Sequence, residues 1–295
     1  DSVAIVSTYL KNHQQIRLYE EPNSGTYHTR NKLLKLAKGD YIYNLDADDY
    51  IVHNCLKALL NFAQDDDLDI IGFQTKETTL LDLMAQDELL SKTNLSLHSG
   101  QGFLERYPLM RHEPWWYFIK RNFVSKNDFT FTDNQYNADV VFTLEAFLKA
   151  SKVGFYDGSI HRYVQTEDSI MRSKDIEVTR KRFDNMQMMI LSKSQLINTL
   201  KSQNASEDLL QILAHRRDTF TFFNLRDMIK SSFIKVSYVK ASIESLKDVG
   251  AYPMHHFSGL RFNSLKHRVV RTILNNESML YAVISLRSLF SKSIK

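Results

Sequence analysis

Tyr41-Ile42-Tyr43-Asn44-Leu45-Asp46-Ala47-Asp48-Asp49 is an apolar β-type run that ends in acid. Side chains on a strand alternate between faces with period two, so Asp46 and Asp48 are expected on one side. Ligands of open α/β sheets gather beyond strand ends. Two carboxylates at such an end suit a hard divalent ion, Mg²⁺ or Mn²⁺, that shares its shell with phosphates. The same residues also read as an acidic turn, with Asp49 capping the helix that follows.

Strand-like and helix-like segments alternate on both sides of this run. Val3 to Leu10 places apolar residues on a helical face. Ile16 to Tyr19 reads as a short strand closed by Glu20-Glu21-Pro22-Asn23-Ser24-Gly25, a turn by composition. Thr29 to Ala37 reads as a helix with Leu33, Leu34 and Ala37 inward, stopped by Gly39. Cys55 to Phe62 is helical and Asp69 to Gln74 strand-like. This order predicts an α/β sheet rather than a bundle or a sandwich. Further on, Phe103 to Tyr107 and Val140 to Leu148 read as helices, and Val153 to Tyr156 and Ile160 to Tyr163 as two strands. Apolar residues then recur at helical spacing through Phe183 to Leu200, Asp208 to Ile229 and Val236 to Leu246. A soft boundary near Arg172 to Asp175 separates residues 1–173 from a helical region, 174–295.

The 295 residues are 43% hydrophobic and 24% charged, which supports a core and excludes wholesale disorder. The single cysteine, Cys55, excludes an internal disulfide and a cysteine-based zinc site, and favours a cytoplasmic setting. No apolar run has the roughly 20 residues that span a bilayer. The net charge of +4 hides a division. From Lys174 onward 20 basic residues face 10 acidic ones, whereas residues 1–173 hold 18 basic and 24 acidic. The acidic part is expected to hold something cationic and the basic part to face phosphate or an anionic membrane. In the last segment Arg261, Lys266, Arg268, Arg271 and Arg287 interleave with Val269, Ile273, Leu280 and Ile284. That pattern suits peripheral contact at the inner face of a plasma membrane, or a helix packed on the protein with a solvated charged side. Nucleic acid is not expected, because no recognition motif accompanies the charge.

Taken jointly, three blocks resemble the family 2 glycosyltransferases of GT-A fold. They are Glu21-Pro22-Asn23-Ser24-Gly25-Thr26-Tyr27-His28-Thr29-Arg30-Asn31, Ala37-Lys38-Gly39-Asp40-Tyr41-Ile42 and Leu45-Asp46-Ala47-Asp48-Asp49. The resemblance implies a Rossmann-like mixed sheet with a C-terminal helical region. It also implies transfer of a sugar from a nucleotide diphosphate donor, UDP being the commonest, to an acceptor hydroxyl in bacterial surface polysaccharide synthesis. Asp48 would bind the metal on the diphosphate, Asp46 would support it or the donor ribose, and Asn23, Arg30 and Asn31 would lie at the donor.

Other blocks extend the likeness. Trp116, in Pro114-Trp115-Trp116-Tyr117-Phe118, matches an acceptor-binding aromatic, since sugar C–H bonds stack on indole faces. Tyr136-Asn137-Ala138-Asp139-Val140 resembles the family's Glu-Asp motif, with Ala138 in place of Glu and Asp139 as general base. Asp139 also stands at a helix N-cap, a role that lowers a carboxylate's pKa. Ile160 to Arg172 resembles a segment that closes over the donor. Tyr163 and Ser169 match it, while His161 and Val164 replace the usual Tyr and Arg. The implied chemistry is one inverting displacement. A rival reading, an aspartyl-phosphate phosphatase, wants a Thr soon after Asp-x-Asp, where Asp49-Tyr50 stand. A second rival is a degenerate nucleotide-sugar-binding scaffold, which Ala138 and Val164 favour. Family members open with a strand, a helix and a second strand, and Asp1-Ser2 looks like the tail of that unit. A natural protein longer by roughly 30 to 45 residues is therefore expected.

Overall fold

Tyr41–Tyr43 (β1) lies at one end of a six-stranded mixed sheet ordered β1-β5-β3-β6-β2, with β4 also on β6. The computed structural model describes residues 2–80, 91–108, 110–132, 138–165, 175–257 and 264–292. The other strands are Tyr50–Ile51 (β2), Ile70–Thr78 (β3), Leu95–His98 (β4), Tyr117–Lys120 (β5) and Val153–Val164 (β6). β5 runs antiparallel to both β1 and β3, so β1 and β3 end on the same side. β3 and β6 form a parallel pair. The other edge of β6 holds β4 along its first part and β2 along its second.

The helices are Ser2–Leu10 (α1), Thr26–Leu36 (α2), Leu56–Asp65 (α3), Gly100–Arg106 (α4), Arg121–Lys126 (α5) and Ala138–Lys149 (α6). Ile176–Ser202 (α7), Glu207–Lys230 (α8), Val236–Asp248 (α9), Leu265–Leu274 (α10) and Glu277–Lys292 (α11) complete them. Strand alternation divides the sheet's side chains between two cores. Ile71 pairs with Phe118 on the α3 face, beside Leu59 and Ala63. Ile70 and Ile119 face the opposite way, toward Phe142 and Phe147 of α6. That second core continues into Met189, Ile197, Leu209 and Leu213 of α7 and α8. Asp175 and Ser206 start these two long helices by accepting from the backbone N–H of Val178 and Leu209. A third core, with Phe222, Leu225, Ile243 and Ile284, belongs to the helical region itself.

Several sequence expectations are corrected here. Ile16 to Tyr19 is not a strand: no described strand pairs with it, and an isolated short β run lacks the partners that stabilise one. α2 begins three residues before Thr29, and Leu33 is 48% exposed rather than inward. The two strands expected at 153–156 and 160–163 are one. Asp157-Gly158 looks like a turn in sequence, but here it is absorbed by register shifts against Phe73, Gln74 and Thr75 that bend β6 without ending it.

α4 sits so close to the end of α6 that only glycine fits at its start. A Cβ on Gly100 would come within 1.7 Å of the Phe147 carbonyl oxygen, and the Gly100 N–H already donates to Ala150 O at 3.0 Å. Gly100→Ala is expected to lose about 3 kcal/mol of stability. A urea midpoint equal to wild type would contradict this packing.

Candidate active site

One face of α2 organises the site. Tyr27, Arg30 and Asn31 fall at i, i+3 and i+4, so they share a side of the helix. The Tyr27 hydroxyl donates to Asp139 Oδ1 at 3.0 Å. Arg30 donates to Asp46 Oδ1 at 2.7 Å, and its guanidinium lies 5.9 Å from the Tyr27 ring centre. Asn31 clamps the backbone of Phe131: its amide donates to the carbonyl at 2.6 Å and its oxygen accepts from the N–H at 2.7 Å. Phe131 in turn stacks on Tyr27. Two carboxylates distant in sequence, Asp46 and Asp139, are thus joined through one helix.

Asp139 lies in the first turn of α6, where its Oδ1 also accepts from the Val140 N–H at 3.0 Å. α6 already includes Ala138, so Asp139 is not its N-cap as the sequence suggested; the Val140 N–H lowers its pKa, but burial wins and pushes the carboxyl up to about 6. The Tyr27 hydrogen bond pulls the other way and the Glu113 charge adds to the rise. Neither Tyr27 nor Glu113 was singled out in the sequence. Glu113 ends a loop whose neighbouring residues are pinned from the helical region. Arg216 of α8 donates to the carbonyls of Pro108, Tyr107 (3.2 Å) and Met110 (3.4 Å). Lys193 of α7, 3% exposed, places Nζ 3.4 Å from His112 Nε2, and burial lowers the pKa of both.

The acidic run is a turn rather than the end of a strand, since β1 stops at Tyr43 and the Asp49 N–H donates to Asp46 O at 3.1 Å. Asp46 is partly exposed, with one oxygen committed to Arg30. Asp48 is exposed and makes no ion pair or hydrogen bond with a described residue. Asp49 does not cap α3, which starts after Cys55. Its buried carboxylate instead accepts from the Val164 N–H at 2.9 Å and lies 3.2 Å from His161 Nε2. His161, stacked on Trp115 at 4.4 Å, is therefore an anchor for the acidic turn. Among the described residues no cluster of three or more His, Cys, Asp or Glu side chains forms a closed metal site. Because the run is a turn, strand alternation no longer places Asp46 and Asp48 on one side; each keeps a carboxylate oxygen that no described residue engages.

Of the other expected donor contacts, Asn23 is exposed and its side chain accepts from the Gly25 N–H at 3.2 Å. Asn23, Arg30 and Asp46 line a cleft of about 670 Å³ between α2 and the segment 41–47. Tyr163 is stacked on Trp115, 5.7 Å away. Ser169 lies outside the described residues. Trp116 is 3% exposed, set against Phe103 and Phe147, with Gly72 leaving room for its ring: a Cβ there would come within 2.4 Å.

Residues 1–86 match the model of glycosyl transferase family 2. The chain is 27% identical over 182 residues to the uncharacterised glycosyltransferase YibD of Escherichia coli, covering 58% of this chain and 52% of that protein. It is 26% identical over 207 residues to the cholesterol galactosyltransferase of Borreliella burgdorferi, covering 67% and 58%. It thus spans about half the length of the curated relatives it matches. Its fold superposes on S. aureus TarS 1-349, solved in complex with UDP-GlcNAc, with a TM-score of 0.62 and 19% identity over 100% of this chain and 80% of that one. The chain therefore has the GT-A fold, and over residues 1–86 it is similar to family 2 glycosyltransferases.

Proposed function

We propose that this chain transfers a sugar from a nucleotide diphosphate donor, a UDP-sugar by preference, to an acceptor hydroxyl of a bacterial surface glycan, with inversion. The observation that carries the reading is the α2 face, which ties the base candidate to the acidic turn through Tyr27 and Arg30. The names of the relatives point the same way, to bacterial glycosyl transfer.

Asp139 takes the acceptor proton as the hydroxyl attacks the anomeric carbon, and the nucleoside diphosphate leaves. With a pKa near 6 the carboxylate is ionised at neutral pH yet basic enough to accept a proton. Tyr27 holds Oδ1, which leaves Oδ2 for the acceptor. Arg30 holds Asp46 and fixes the acidic turn; Asp49 and His161 fix it from the other side. Asp48, with Asp46 beside it, would hold a divalent ion whose chemistry is neutralisation of the leaving diphosphate. Glu113 stands near enough to raise the Asp139 pKa and supplies a second carboxylate where Ala138 offers none.

Donor turnover with Mn²⁺ and UDP-, GDP- and dTDP-sugars tests the reading directly, and no turnover of any donor would leave the binding scaffold. Tyr27→Phe gives a finer check. The lost hydrogen bond stabilised the ionised base, so the acid limb of the pH–rate profile is expected to move up from about 6, by roughly half a unit to one unit. A limb that stays or moves down would show that Tyr27 does not support the base.

A further inference from the structure

A cavity of about 430 Å³, which shares no lining residue with the cleft between α2 and the segment 41–47, is unused by the chemistry above. Its walls are aromatic: Phe103, Tyr107, Phe155 and Trp116 pack with ring centres 4.7 to 6.5 Å apart. Two arginines line it, Arg106 at the end of α4 and Arg111, and no acid does. Arg111 is held in place by Glu77 at 3.0 Å and by the Trp115 ring, 5.2 Å from its guanidinium. Arg106 is exposed. Two buried polar atoms in the walls, Trp116 Nε1 and Thr75 Oγ1, have no hydrogen-bond partner among the described residues. Buried polar groups left unpaired call for an explanation, and a ligand is one. Arg216 pins the carbonyls of residues 107, 108 and 110, so one wall is set before anything binds. The cavity reaches Gln74 and Thr75, toward the end of β3, the side of the sheet on which β1 runs into the acidic turn.

An aromatic-walled cavity with a few convergent polar groups is the form small-ligand sites take. The half-buried rings of Tyr107 and Phe155 suit the C–H faces of a sugar, and two guanidinium groups, that of Arg111 held by Glu77, suit phosphate oxygens. We propose that this cavity seats a sugar ring bearing a phosphate, and thereby selects anionic glycans as acceptors. The acceptor role presupposes the transferase reading; the binding chemistry does not.

Trp115 and Trp116 are the two tryptophans of the chain, so intrinsic fluorescence reports occupancy. The probe is glucose 1-phosphate, titrated into the full chain with saturating UDP to fill the donor cleft, against methyl glucoside and inorganic phosphate. Saturable binding of glucose 1-phosphate is expected, with each single-feature control about tenfold weaker. Arg106→Gln, at an exposed position, is expected to weaken glucose 1-phosphate about tenfold and to leave methyl glucoside unchanged, which also shows that the variant is folded. Equal affinity for glucose 1-phosphate and methyl glucoside, or no effect of Arg106→Gln, overturns the proposal. So does loss of the signal on adding UDP, which would place the sugar in the donor cleft, or tighter binding of AMP, which would make the cavity a base slot. Donor turnover measured on the same preparations separates this outcome from failure of the transferase reading: turnover without probe binding sinks the subsite alone, and probe binding without turnover sinks the transferase reading, and the acceptor role with it, while the binding site stands.

Discussion

Asp139→Asn is expected to lower sugar transfer by about 10²–10⁴-fold while making the protein more stable at neutral pH. The two effects share one cause. Burial raises the Asp139 pKa from 3.8 to about 6, so the folded state favours the protonated carboxyl more than the unfolded chain does. That favourable contribution is complete below about pH 3.8 and is lost as pH rises through about 6. Above pH 6 the fold carries an ionised, partly buried carboxylate at a cost of at most about 3 kcal/mol. Asparagine keeps an acceptor for the Tyr27 hydroxyl and has no charge to desolvate. The thermal midpoint of Asp139→Asn should therefore exceed wild type by a few degrees at pH 8 and approach it at pH 5. Donor affinity should stay unchanged, since the base touches only the acceptor. If the variant is inactive and also less stable at pH 8, the loss of rate reflects damage to the fold and not removal of a base.

The parts of this site that were legible in the sequence are those set by local spacing. The strand that starts at Tyr41 and the apolar face of Val140 to Leu148 each announce themselves within ten residues, and both elements start close to where the pattern put them, although the acidic run after Tyr43 is a turn. The hydrogen bonds that organise the site are of another kind. Tyr27 reaches across 112 residues to Asp139, and Asn31 across 100 to Phe131. A tyrosine in a turn-rich stretch carries no local mark of such a partner. Glu113 was hidden for the same reason, because the loop that carries it is held by Arg216, more than a hundred residues on. β5 was obscured by its own composition. Tyr117-Phe118-Ile119 is apolar throughout because both faces of that strand are buried, which erases the alternation that marks a half-exposed strand, and the short helical turn of Pro114–Trp116 precedes it. The sign of the Asp139 shift depends on how deeply the fold buries it, a quantity its place at the start of a helix does not contain.

The two carboxylates of the acidic turn are expected to respond unequally to substitution. Asp48 is exposed and has no partner among the described residues, so its oxygens are available to a divalent ion and, through it, to the diphosphate. Asp48→Asn should raise the Mn²⁺ concentration for half-maximal donor turnover by about 10–100-fold and lower the saturated rate by about 10²-fold, because a hard cation binds a carboxylate far better than an amide. Asp46 gives one oxygen to Arg30, which would leave the other for that ion. Asp46→Asn should cost less in Mn²⁺ dependence, yet it removes the ion pair that links α2 to the acidic turn, and with it the coupling between Arg30 and the base. Arg30 lowers the Asp139 pKa; freed from Asp46, its charge acts on the base undivided. The acid limb of the Asp46→Asn pH profile should therefore shift down by a few tenths of a unit, opposite in sign to Tyr27→Phe, whereas that of Asp48→Asn should stay in place. Metal titrations and pH profiles on the two variants separate the roles. Equal shifts in both quantities would mean that Asp46 and Asp48 act as one ligand pair and that the Arg30 contact contributes nothing to the base.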